Sequence, residues 1–82
     1  MPDKNNTEQR WIKAASSLLK GKTVDHVRYL TEAERDSLGW SGRPVVIVFR
    51  DGSYVFPSRD DEGNDAGALF TGSDALPVIP VI

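Results

Sequence analysis

Oxygen-bearing side chains crowd one segment of the chain, Arg59-Asp60-Asp61-Glu62-Gly63-Asn64-Asp65. Asp60, Glu62 and Asn64 stand at alternate positions, and Asp65 adds a further carboxylate. Hard cations such as calcium take carboxylate and amide oxygens from loops with this kind of spacing. The likeness to a helix–loop–helix calcium site stops there. Counted from Asp60, such a loop needs glycine at its sixth place and a bidentate glutamate at its twelfth. This chain has Asp65 and Thr71 there. A solvated turn explains the same residues, with Asp and Asn side chains accepting from nearby backbone N–H groups and Arg59 or Arg43 as counter-ion. Asp60, Glu62, Asn64 and Asp65 are the candidate cation ligands, and the expectation is a loop that holds neither metal nor cofactor.

Proton-transfer chemistry near neutrality falls to histidine, and His26 is the only one, with Asp25 beside it. A nucleophile is missing from the picture. Gly39-Trp40-Ser41-Gly42 is one residue short of the Gly-x-Ser-x-Gly elbow. Catalysis of that kind needs nucleophile, base and orienting group together. Glu34 and Asp61 could serve as a carboxylate pair only across a cleft, for which a chain this short has little room. Gly39, Gly42, Gly52 and Gly63 match neither a phosphate-binding loop nor a dinucleotide fingerprint and read as turn glycines. With no cysteine in the chain, thiolate metal sites and thiol catalysis are excluded. No catalytic residue is assigned, and an enzyme is not expected.

Arg43, Arg50 and Arg59 lie near Trp40, Tyr54 and Phe56 in sequence, the mixture with which proteins hold single-stranded nucleic acid. Trp40, Arg43 and Tyr54 are the candidates for that role if they share one exposed face. Against it stand the acidic loop, which repels phosphate, and the need of so small a domain for its aromatics in the core.

Eighty-two residues with a net charge of -2 and 39% hydrophobic side chains suit a single domain over residues 1–82 with one small core. Charge is unevenly placed. Residues 1–30 sum to +3 and residues 57–82 to -4, so the chain can pair its own ends or a copy of itself, and it lacks the basic excess of a duplex binder. No apolar run reaches the length of a membrane span and the first residues are polar; a cytoplasmic protein without a membrane partner is expected.

The spacing predicts an amphipathic helix over residues 6–20, with Trp11, Ile12, Ala15, Leu18 and Leu19 on one stripe. Asn5 or Asn6 would cap it, answered by Glu8 or Gln9, and Gly21 would end it. Residues 23–29 suggest a strand in which Val24 and Val27 have opposite parity, so one faces out or a bulge intervenes. Thr31 and Glu34 form a capping box for a helix of two turns ending at Gly39. Residues 45–57 read as a hairpin. A two-residue type I′ turn at Asp51-Gly52 would pair Phe49 with Tyr54, Ile47 with Phe56 and Val48 with Val55, placing Ile47, Phe49, Tyr54 and Phe56 in one core. A short strand is expected over residues 68–71, and residues 76–82 are extended, an edge strand or strap because Pro77 and Pro80 remove ladder donors. Residues 1–5 are expected to be flexible. The resulting fold class is α+β, mainly β: an N-terminal helix and a small bent antiparallel sheet or an SH3-like or Sm-like barrel of about five strands, with a short helix inserted.

Across residues 30–82, the helix lead-in at Leu30-Thr31, Gly39-Trp40, Arg43-Pro44, the hairpin around Asp51-Gly52 and the run Asp60-Asp61-Glu62-Gly63-Asn64-Asp65 with Gly67 and Leu69 resemble small uncharacterised proteins of tailed bacteriophages, frequent in marine environmental sequences. The resemblance implies a phage-encoded protein of the host cytoplasm. It carries no activity and no site.

The function expected from the residues themselves is a non-enzymatic protein-interaction or structural module that associates with itself or with another protein. Trp11, Val78, Ile79, Val81 and Ile82 are the candidate contact residues, since they offer more apolar surface than one small core hides. The tail would either close its own sheet or lie across a second copy. Single-strand nucleic-acid binding and cation binding at residues 60–65 are the alternatives.

Overall fold

The computed structural model describes residues 4–82. The order of elements is α1 (Lys4–Leu19), β1 (Val24–Tyr29), α2 (Glu32–Leu38), β2 (Val45–Phe49), β3 (Tyr54–Val55), β4 (Leu69–Phe70) and β5 (Val78–Ile79). The sheet order is β1-β2-β3, with β4 and β5 forming a separate two-stranded ribbon, and all pairs are antiparallel. The architecture is therefore α+β with two small sheets. The barrel alternative is not realised: only β2 has a neighbour on each side, and β1 and β3 remain edges.

α1 begins two residues earlier than the stripe suggested, so Asn5 and Asn6 lie within the helix and do not cap it. The expectation of a flexible residues 1–5 segment falls on residues outside those described, except that Lys4 and Asn5 already belong to α1. Gly21 ends the helix with φ 80°, a left-handed conformation open to glycine, and the Lys22 N–H donates to the Leu19 carbonyl.

The second helix is set by local chemistry alone. Thr31 Oγ1 accepts from the Glu34 N–H, and the Glu34 carboxylate accepts from the Thr31 N–H at 2.8 Å, a reciprocal box. At the other end Gly39 is left-handed, its N–H donating to Asp36 and the following Trp40 N–H to Arg35, which caps the open carbonyls.

Two irregularities decide which side chains share a face. In β1 the pairing passes from Val24↔Phe49 to His26↔Val48, so Asp25 is the extra residue of a bulge. Val27 then faces Ile47, and Val24 and Val27 come to one side despite their opposite parity. In the hairpin, Ile47 pairs with Val55 and Val48 with Tyr54. The turn is not the two-residue type I′ form. Among the described residues none other than glycine has positive φ; in this turn Gly52 has φ 88°, and its N–H donates to the Phe49 carbonyl. The loop is thus three residues with a left-handed glycine at the end, which shifts the register by one. The expected pairs Phe49 with Tyr54, Ile47 with Phe56 and Val48 with Val55 are corrected accordingly.

The consequence is a divided hairpin. Val46, Val48, Tyr54 and Phe56 belong to one face, and Val45, Ile47, Phe49 and Val55 to the other. The core lies on the first face, where Leu30, Trp40 and Val46 are buried and Val48, Phe56 and Ala66 pack against them. The Trp40 ring meets Phe56 edge-on at 5.7 Å between centroids. Tyr54 stacks on the outer side of Phe56 and is exposed. A single core of Ile47, Phe49, Tyr54 and Phe56 does not form.

The tail closes onto its own chain. Leu69 pairs with Ile79 and Phe70 with Val78. Arg43 and Ile82 exchange both backbone hydrogen bonds, at 2.7 and 3.0 Å. The Tyr29 hydroxyl donates to the Pro80 carbonyl at 3.0 Å. Because Tyr29 faces Val45 across the sheet, the tail crosses the second face at its Val45 end, and Val45 is buried.

Candidate functional site

The acidic loop is built around two carboxylates that look inward to donors. Asp60 accepts from the Glu62 N–H (3.1 Å), the Asn64 N–H (3.2 Å) and Asn64 Nδ2 (2.9 Å). Asp65 accepts from the Ser41 N–H (3.0 Å), Ser41 Oγ (2.8 Å) and the Ala66 N–H (2.8 Å). The Asn64 amide holds Asp60 below the ordinary carboxylate range, and the Ala66 N–H, followed by Ser41, does the same for Asp65. Glu62 reaches only Asn64 Nδ2, at 3.4 Å. Asp60 and Glu62 thus converge on the Asn64 amide nitrogen while Asp65 turns away to Ser41 and Ala66, and among the described residues no three His, Cys, Asp or Glu side chains gather as a metal site would require. Positioning is what this loop does: it carries the Gly63 carbonyl to the indole N–H of Trp40 at 2.8 Å.

The nucleic-acid candidates do not share a surface. Trp40 is buried, Arg43 Nη1 donates to the Leu30 carbonyl, and only Tyr54, stacked on Phe56, is exposed. A stacking platform needs its rings accessible. The histidine of the bulge meets its neighbour, with His26 Nδ1 2.8 Å from Asp25 Oδ2, while the Ser41 hydroxyl goes to Asp65. Nucleophile and base are therefore engaged in different places.

Two ion pairs fasten the elements. Arg28 grips Glu34 with both guanidinium nitrogens, at 2.9 and 3.2 Å, joining β1 to α2. This pair, with the Thr31 N–H, draws the Glu34 pKa from 4.5 to about 2. Lys22 donates to Asp51 at 2.9 Å and to Ser53 Oγ at 2.7 Å, and its ammonium lies 5.6 Å from the centre of the Phe49 ring. Ser53 and then Lys22 hold the Asp51 carboxyl far below its usual range.

Apolar surface is where the polar inventory runs out. Of the residues of α1 from Asn6 onward, every one is exposed. Trp11 shows 67% of its surface, and Ile12, Leu18 and Leu19 also stand in solvent. On the sheet, the half of the second face beyond the tail is open: Val24 and Val27 are exposed, Val27 by 57%, beside half-buried Ile47, Phe49 and Val55. An apolar hollow of about 180 Å³ lies next to them, between Ile47, Val55 and Leu69. Sequence reading found Trp11 but missed Val24, Val27 and Phe49. The clashing parity of the two valines was the available signal, since a bulge that reconciles them puts both on one face.

The tail residues behave differently from a free strap. Ile79 and Val81 are half-buried against their own chain, whereas Val78 and Ile82 remain exposed. The alternation of strand geometry explains the split. No helix among the described residues is long and apolar enough to cross a membrane. Compared with models of protein families, with curated proteins and with solved structures, the chain matches none of them.

Proposed function

We infer that this chain is a non-enzymatic protein-interaction module whose working surface is the apolar stripe of α1. The observation that carries this reading is Trp11, 67% exposed on a helix that is exposed on all sides from Asn6 onward. A helix of 16 residues is marginal in water without an apolar face to pack, because most helical stability in proteins comes from tertiary contact. Large contiguous apolar patches mark interaction sites. Catalysis has less support: Asp60, Asp65, Glu34 and Asp51 each accept from fixed donors, and the serine and histidine with reactive potential point to different partners.

Amide hydrogen exchange read beside sedimentation tests this. At a concentration where sedimentation finds a monomer, α1 amides should exchange at nearly unprotected rates while those of β2 stay protected. Protection should appear when a partner covers the stripe. An α1 that is protected in a monomer has folded onto its own body, and the reading then fails.

A further inference from the structure

We propose that the free edge of β3 docks an extended peptide of a partner protein as an added strand, with an aliphatic side chain in the hollow beside Val55 and a basic side chain beside Phe56. This surface is separate from the α1 stripe and does not depend on the reading above. β3 ends the sheet, with β2 on one side and no strand on the other. The Phe49 N–H donates to the Ser53 carbonyl at 2.9 Å, and bonded pairs alternate along an antiparallel ladder. Val55, paired with Ile47, therefore turns its N–H and carbonyl to β2, and Tyr54 and Phe56 turn theirs outward. Among the described residues neither of these two has a backbone partner on that side, and Tyr54 is exposed. Open donors and acceptors at strand spacing are what an added strand pairs with.

Strand geometry fixes what the added segment presents. Its residue opposite Val55 points to the same face as Val55. There the apolar hollow of about 180 Å³ is lined by Val55, Pro57, Ile47 and Leu69, room for one large aliphatic side chain. The residues on either side of it point to the other face, beside Tyr54 and Phe56. At the Phe56 end that face is anionic. The Phe56 ring meets Trp40 at 5.7 Å, and the Trp40 indole is bonded to Gly63 of the acidic loop. Residues 59–65 hold one arginine and four carboxylates, -3 in all. A lysine or arginine opposite Phe56 thus meets opposite charge, and an acidic residue there is repelled. Pro57 has no N–H to offer, which limits the pairing to Tyr54 and Phe56 and keeps the contact short.

The test titrates the isotope-labelled full chain with the peptide acetyl-Thr-Lys-Leu-Lys-Thr-amide and follows it by nuclear magnetic resonance. The amides of Tyr54 and Phe56 and the methyls of Val55 and Leu69 should shift together, with a dissociation constant of about 1 mM. Alanine in place of the central leucine should weaken binding by about tenfold, because the buried side chain is lost. Glutamates in place of the lysines should weaken it by a similar factor, and salt should narrow that difference. Methylation of the two lysine backbone nitrogens removes the donors that face β3 and should abolish the shifts of Tyr54 and Phe56. No shift of these two amides at about 10 mM peptide, well above the expected constant, overturns the proposal. Undiminished binding of the methylated peptide, with shifts at Val55 and Leu69 alone, overturns it in favour of a site for small apolar molecules. Equal binding of the glutamate peptide overturns it as well, since the acidic loop then selects nothing. Edge amides that shift with protein concentration in the absence of peptide overturn it in favour of a second copy on β3. The α1 amides should stay silent throughout, so failure at this edge leaves the α1 reading to its own exchange test.

Discussion

The indole N–H of Trp40 donates to the Gly63 carbonyl across 2.8 Å, so the most buried ring of the core is held by the most acidic loop of the chain. A buried indole needs an acceptor, and the loop supplies one by folding around its own carboxylates. Asp65 reaches back to Ser41, the residue next to Trp40, through both the backbone N–H and the hydroxyl. The segment that looked most like a cation site thus works as a clamp on the core.

Trp40→Phe should keep the ring contact with Phe56 and lose the hydrogen bond, leaving the Gly63 carbonyl without its donor. A cost of about 1–3 kcal/mol is expected in chemical denaturation. Addition of calcium or of a chelator should shift the midpoint of neither wild type nor variant, because Asp60 and Asp65 already accept from protein donors. A chelator-sensitive wild type would restore the loop as a cation site.

Acid should loosen the junction of β1 and α2 first through Glu34. Its pKa in the folded chain, about 2, lies below its ordinary value of 4.5. A depressed carboxylate contributes stability that is present above the ordinary value and is lost as pH falls toward the folded one. The difference in melting temperature between wild type and Glu34→Gln should therefore be widest above pH 4.5 and close as pH approaches about 2. A constant difference down to that pH would show that the Arg28 pair contributes nothing. Both side chains are partly exposed, so salt should narrow the gap as well.

Core and open face can be told apart by matched truncations. Leu30 is 4% exposed and belongs to the buried cluster, so Leu30→Ala should cost about 2–5 kcal/mol. Ile47 points to the open face and is only half-buried. Ile47→Ala should cost clearly less when measured in dilute solution. Equal costs at low concentration would return Ile47 to the core and undo the observed hairpin register.

Local chemistry explains why some elements were legible and others were not. Thr31, Glu34 and Gly39 specify α2 through contacts within one turn, and no distant residue has to agree. The bulge at Asp25 was foreshadowed by the parity of Val24 and Val27 for the same reason. Asp51-Gly52, by contrast, suits a two-residue turn and also the end of a three-residue turn. The difference is the sign of φ at Asp51, which the dipeptide leaves open. That single ambiguity moved Tyr54 out of the expected core and opened a sheet face that sequence had filled. The stripe of α1 was equally plain as a pattern, but amphipathicity states that a face is to be covered and not by what. Val78 to Ile82 look alike in composition, and only their pairing with Arg43 and β4 tells the seated residues from the exposed ones.

Gly42 offers the sharpest check on the seating of the tail. A Cβ at this position would stand 2.5 Å from Val81 Cγ1, and a β-branched valine has little freedom to turn away. Gly42→Ala should therefore lift the tail, at a cost of about 1–3 kcal/mol for the overpacked contact. The amides of Arg43 and Ile82, which bond each other's carbonyls, should lose exchange protection while those of β2 keep it. Gly72→Ala is the control: nothing lies within 4 Å of its Cβ and its φ is not in the left-handed region. There the substitution should be neutral or stabilising by about 0.4–1 kcal/mol, through the reduced freedom of the unfolded chain. If Gly42→Ala matches Gly72→Ala in both stability and exchange, Val81 is not seated against Gly42, and the tail is free to serve as the contact surface that its sequence first suggested.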